Sequence, residues 1–98
     1  MLLNACEFIL IMYNETQQQI MIMLKSIQQK YDPPLVRTWV FDYLWHGKTY
    51  IIAMIAIRIA GNELAKRRRK IETRLQMLKD ARVTTLLDGE YIKYVIEA

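Results

Sequence analysis

The chain holds one serine, one histidine and one cysteine, Ser26, His46 and Cys6, so an activated nucleophile would have to be assembled from these three. A hydroxyl or thiol nucleophile needs a histidine within hydrogen-bond reach and a carboxylate to orient that histidine. Ser26 falls inside a helical pattern between Lys25 and Ile27, and His46 falls in a turn-like segment. Cys6 lies in a nearly continuous apolar run and reads as a small buried hydrophobe. No spacing brings the three together. One Cys and one His cannot supply the several ligands of a zinc site. Gly47-Lys48-Thr49 matches the end of a phosphate-binding loop, but that loop requires Gly at position 42, where the chain has Asp42. The ten carboxylates are scattered, and only Glu7 and Asp42 fall inside expected strands. A charge on an edge strand deters aggregation, which accounts for Asp42. The sequence therefore predicts no catalytic residues, no metal and no cofactor, and a protein that works by binding.

Two sets of residues could carry binding. The first is cationic. Residues 62 to 82 hold eight Lys/Arg against three Asp/Glu, whereas residues 1 to 61 hold five against four and residues 83 to 98 one against three. The net charge of +4 is thus concentrated on one segment. On a helix, Arg67, Lys70 and Arg74 make one basic stripe, flanked by Lys66 and Arg69. Arg68 falls toward the apolar side and is expected to lay its stem over the core edge. Glu63 with Arg67 and Arg68 with Glu72 are favourable pairs four residues apart, and they absorb two of the cations. The remainder suit the phosphates of a nucleic acid, through released counterions, or an acidic patch on another protein. A solvated helix face is the plainest reading.

The second set is aromatic. Trp39, Phe41, Tyr43 and Trp45 recur at every second residue. Exposed, such a ladder stacks unpaired bases or anchors a protein interface. Buried, it packs against a helix, and that is the simpler expectation. The basic and aromatic consensus of an RNA-recognition sheet is missing from Thr49 to Ile59. These features predict a small non-enzymatic basic module acting in nucleic-acid transactions, with Lys66, Arg67, Arg69, Lys70 and Arg74 on phosphates. The alternative is a protein modulator or inhibitor. It would dock on a larger partner, such as a nucleic-acid-processing enzyme, through its basic helix and its aromatic strand.

The elements that position these residues follow from periodicity. Asn14 as N-cap with Gln17 three residues later forms a capping box. Ile20, Leu24, Ile27 and Tyr31 then make one apolar stripe, so residues 14 to 31 read as a helix that Asp32-Pro33 ends. Thr38 to Trp45 and Thr49 to Ile59, joined by His46-Gly47-Lys48, read as a hairpin. Gly61-Asn62 opens a helix with Leu64, Ile71, Leu75 and Leu78 on one face, expected to end near Lys79 to Ala81. Arg82 to Leu87 and Glu90 to Ile96, around Asp88-Gly89, read as a second hairpin. With Ala5 to Tyr13 as a first strand, the fold class is α+β. Its order is the split β-α-β, ferredoxin-like β-α-β-β-α-β, with an additional C-terminal hairpin strand. The competing fold is mainly α, with one long helix from about residue 49 to 80.

Ninety-eight residues form a single compact domain, residues 1–98. At 53% hydrophobic and with three Gly and two Pro, the chain is too apolar for disorder and too poor in loop formers for a linker. A lone Cys makes no internal disulfide. The apolar stretches Met1 to Tyr13 and Tyr50 to Ala60 fall short of the roughly 20 residues needed to span a bilayer. The first also lacks a basic start and is interrupted by Glu7. The expectation is an intracellular, cytoplasmic protein without a transmembrane segment. An unpaired edge strand could give a homodimer by strand pairing across a two-fold axis.

Overall fold

A computed structural model describes residues 13–31, 35–58 and 63–98, with the side chains of 63–65 excepted. Its elements are α1 (Glu15–Lys30), β1 (Val36–Trp45), β2 (Lys48–Arg58), α2 (Glu63–Gln76), β3 (Arg82–Asp88) and β4 (Tyr91–Glu97). The fold is α+β. The strands form one four-stranded antiparallel sheet in the order β1-β2-β4-β3.

α1 starts where the capping box places it. The Asn14 side chain accepts from the Gln17 backbone N–H at 2.8 Å, and the Gln17 side chain accepts from the Asn14 N–H at 3.0 Å. Two of the first-turn donors that a helix cannot satisfy internally are thereby paired. Ile20, Met23, Leu24 and Ile27 are buried. α2 presents Ile71 and Leu75 to the same core. It stops at Gln76, short of the expected Lys79 to Ala81. The N–H groups of Met77 and Leu78 donate three residues back, to Arg74 and Leu75, and Asp80 takes a left-handed φ of 57°. The last turn tightens and the backbone then reverses, which no helix can follow.

Both helices lie on one face of the sheet. Ile51, Ala53, Ile55 and Ile57 of β2, with Ile92, Tyr94 and Ile96 of β4, form the inner face and are buried with the helical residues. Each such aliphatic side chain removed from water contributes about 1.5–3 kcal/mol. Gln17 is buried among them. Its amide donates to the Thr49 carbonyl at 2.6 Å and the Ala98 carbonyl at 3.2 Å. It ties the start of α1 to β2 and to the residue after β4.

The chain order departs from expectation. Residues 5–12 of the expected first strand lie outside the described residues, and Tyr13 is a buried residue just before the α1 N-cap. The ferredoxin-like order would set that strand beside β2. Instead β4 pairs there, with Ile92 opposite Ile57, Tyr94 opposite Ile55 and Ile96 opposite Ala53. The alternation of β4 matches that of β2, so this pairing buries both sets at once. β2 and β3 run parallel, joined through α2, with β4 inserted between them. The long-helix alternative is overturned, because residues 48–58 are strand. Two-residue turns close both hairpins. His46 and Gly47 both have positive φ, 50° and 76°, as a type I′ turn requires. The second turn is Gly89-Glu90 rather than the expected Asp88-Gly89, with the positive φ on Gly89. No helix among the described residues is long and apolar enough to cross a membrane.

Candidate binding surfaces

Because the helices cover only one face, each side of the sheet carries its own candidate surface. On the helical side, α1 and α2 leave a shallow groove between them. Its walls include Lys30 at the end of α1, the C-cap residue Tyr31, and Arg69, Lys70 and Arg74 from α2, over a floor that includes Ile27 and Ile71. The apolar stripes of both helices point into the core, so each helix turns its neighbouring polar positions toward this gap. Arg67 places its guanidinium 5.2 Å from the centre of the Tyr31 ring, and the Lys30 ammonium lies 5.7 Å from the same centre. Both distances allow a cation–π attraction that holds cations at the groove mouth.

Among the described residues, no carboxylate lines this groove. The acid on α2 nearest to hand, Glu72, is turned the other way. Arg68 Nε donates to it at 2.8 Å, and the buried Tyr94 hydroxyl donates to the same oxygen. These two donors hold the Glu72 carboxyl below its ordinary range, the Tyr94 bond first. Burial, then the bond to Glu72, pushes Tyr94 up to about 12. A carboxylate held ionised beside a phenol held neutral is a poor proton donor–acceptor couple at neutral pH. The trio is a structural tie between α2 and β4. It also keeps the negative charge out of the groove.

The predicted cationic residues therefore separate. Arg69, Lys70 and Arg74 gather in the groove, Arg67 sits over Tyr31 at its end, and Lys66 is exposed but outside the lining. Arg68 is half exposed and makes the expected pair with Glu72. Lys30 belongs with this set, although sequence reasoning passed it over. Its signal is a cation in the last turn of the neighbouring helix, which marks a site only when the two helices are known to pack side by side.

On the other side of the sheet, the aromatic ladder is open. Trp39, Phe41, Tyr43 and Trp45 are 49%, 64%, 41% and 61% exposed. The simpler expectation, a ladder buried against a helix, is corrected here. Alternation sends Val36, Thr38, Val40 and Asp42 to the inner face opposite Ile57, Ile55, Ala53 and Ile51. The aromatic set is left on the outer face. Asp42 anchors that choice: its carboxylate accepts from the buried Tyr13 hydroxyl at 2.7 Å. Burial, then this bond, pushes Tyr13 up to about 12. Tyr43 stacks on Tyr50 of β2 with ring centres 5.3 Å apart, and Phe41 lies 6.3 Å from Tyr43. Ile52 and Leu86 are further exposed apolar groups, and Ile52 pairs with Phe41 on the outer face.

Ser26 lines the helical groove, and His46 packs edge-on against Trp45 in the first turn. The two lie on different elements, Ser26 within α1 and His46 in the turn between β1 and β2. Cys6 falls outside the described residues. Among the described residues, no three His, Cys, Asp or Glu are gathered as a metal site would need. No family model, curated protein or solved structure matches the chain.

Proposed function

We propose that the protein is a small non-enzymatic module acting in nucleic-acid transactions, which seats backbone phosphates in the groove between α1 and α2. One observation carries this reading. Lys30, Arg69, Lys70 and Arg74 meet from two helices around a groove that, among the described residues, no carboxylate lines. A nucleic acid carries a condensed layer of cations along its phosphates, and clustered Lys and Arg side chains that neutralise those phosphates gain free energy by releasing it. The two arginines present planar forks suited to phosphate oxygens, and the two lysines act as point charges beside them. Arg67 and Lys66 extend the cationic surface along α2.

The test is fluorescence anisotropy with a labelled DNA duplex and a labelled single strand across a salt series. Binding is expected to weaken linearly in log salt. A triple variant, R69Q/K70Q/R74Q, is expected to lower the magnitude of that slope by about 2–3. Binding that is insensitive to salt, or unaffected by the triple variant with its helix content intact, would sink the reading. The alternative, a modulator or inhibitor docking on a larger protein, draws support from the exposed ladder on the outer face. A discrete co-purifying protein that is lost on Trp45→Ala, with nuclease present throughout, would favour it.

A further inference from the structure

We infer that the outer face of β1 and β2 is the contact surface of a two-fold homodimer, with two copies of this chain stacked ladder to ladder. The patch is apolar, contiguous and nearly free of charge. None of the outer-face positions from Trp39 to Trp45 on β1, or from Tyr50 to Ala56 on β2, is Asp, Glu, Lys, Arg or His. Charged residues stand at its rim, Arg37 and Lys48 at its two ends and Glu97 and Lys93 of β4 opposite Ile52 and Ala56. Surfaces that bind single strands interleave cations with their aromatic rings to follow the backbone. That interleaving is absent here, so the face suits an apolar partner rather than a phosphate chain.

The occupant is argued from charge and area. Each copy carries a formal net charge of +4, so two copies repel wherever their cationic surfaces meet. The aromatic ladder is where two copies can approach with cations only at the rim, because the basic groove lies on the opposite side of the sheet. A two-fold contact needs one patch that fits itself, and ring-on-ring packing of a ladder meets that need. From the exposures of Trp39, Phe41, Tyr43, Trp45 and Ile52, the open area is on the order of 500 Å². Two copies would then cover about 1,000 Å² from these side chains alone, the level at which interfaces become specific. Stacked sheets of this kind sit roughly 10 Å apart. Such a dimer turns its two α1–α2 grooves outward, in opposite directions.

The chain provides its own reporter. Its only two tryptophans, Trp39 and Trp45, both lie on this face. Sedimentation equilibrium at tens of micromolar is expected to give the mass of two chains. Over the same dilution series, tryptophan emission should shift to the red and become open to acrylamide as the dimer dissociates. Phe41→Lys, at the most exposed ring of the ladder, should weaken association at least 100-fold with unchanged circular dichroism and melting. Should that variant misfold, the wild-type dilution series alone decides. A monomer at several hundred micromolar overturns the inference. So does a dimer whose tryptophans stay open to quencher, which is the mark of edge-strand pairing. Shielding of the tryptophans that appears only with added oligo-dT, or only with a different co-purified protein, overturns it as well. R69Q/K70Q/R74Q should leave the mass unchanged, so the dimer and the phosphate groove stand or fall separately.

Discussion

Gln17 is the residue on which most depends. It closes the α1 capping box with its carbonyl oxygen and spends its amide on two backbone carbonyls, those of Thr49 and Ala98. Gln17→Leu fills the space but withdraws both donations and the acceptor for the Asn14 N–H, and is expected to destabilise the fold by about 2–4 kcal/mol in urea denaturation. Asn14→Ala removes only the cap and should cost about 1 kcal/mol. The tyrosine–carboxylate bonds set the pH limits. Glu72 has a lowered carboxyl in the folded state, so its contribution is present above the ordinary carboxylate range and is lost as pH falls through it. Tyr13 and Tyr94, both pushed up to about 12, act in the opposite sense. Their contribution is complete below the ordinary phenol value near 10 and disappears as pH rises through about 12. Urea midpoints should therefore decline on both sides of a broad plateau. Tyr94→Phe should remove part of the alkaline loss, and Tyr13→Phe a separate part. Glu72→Gln should flatten the acidic limb while costing under about 1 kcal/mol at neutral pH, since its partner Arg68 is half exposed.

At the scale of elements, the two turns can be tuned. His46 holds φ at 50°, a conformation that asparagine adopts more readily, so His46→Asn is expected to stabilise the first hairpin by a few tenths of a kcal/mol. Gly47→Ala, at φ 76°, should cost about 1 kcal/mol although nothing lies near the added methyl. Thermal melts of the pair would show opposite shifts. The hairpins and helices themselves were legible because their periods are clean: the stripe of Ile20, Leu24 and Ile27, or the alternation of Ile92, Tyr94 and Ile96. Which side of β1 faces the core was not legible. Its partner β2 is apolar on both faces, with Ile51 and Ile55 inward and Ile52 and Met54 outward, so the pattern of β2 could not choose. The choice rests on Asp42 meeting Tyr13, a contact across 29 positions that local spacing does not encode. The cationic groove was half legible for a related reason. The α2 stripe can be read from charge, but Lys30 joins it only through the packing of two helices.

At the scale of the whole molecule, the sheet separates two surfaces that sequence reasoning had considered using together. A single flat ligand cannot touch the basic groove and the aromatic ladder at once. Removing both aromatic anchors, Trp39→Ala with Trp45→Ala, is therefore expected to leave the salt dependence of nucleic-acid binding per groove unchanged at protein concentrations where only monomer is present. Anisotropy at nanomolar protein would check this, and a fall in the salt slope would show that the two surfaces are coupled. The insertion of β4 between β2 and β3 has a different consequence, for assembly during synthesis. β2 meets β4 through pairs as far apart as Ile52 and Glu97, and among the described residues β3 has no neighbour other than β4. A growing chain can close the β1–β2 hairpin early, but the sheet cannot knit until residues 91–97 have cleared the ribosome. Until then, the inner edge of β2 and the apolar stripes of both helices have no covering strand. The nascent chain would be expected to need shielding over that interval, and release before residue 91 would yield one hairpin and two unanchored helices instead of a smaller stable fold.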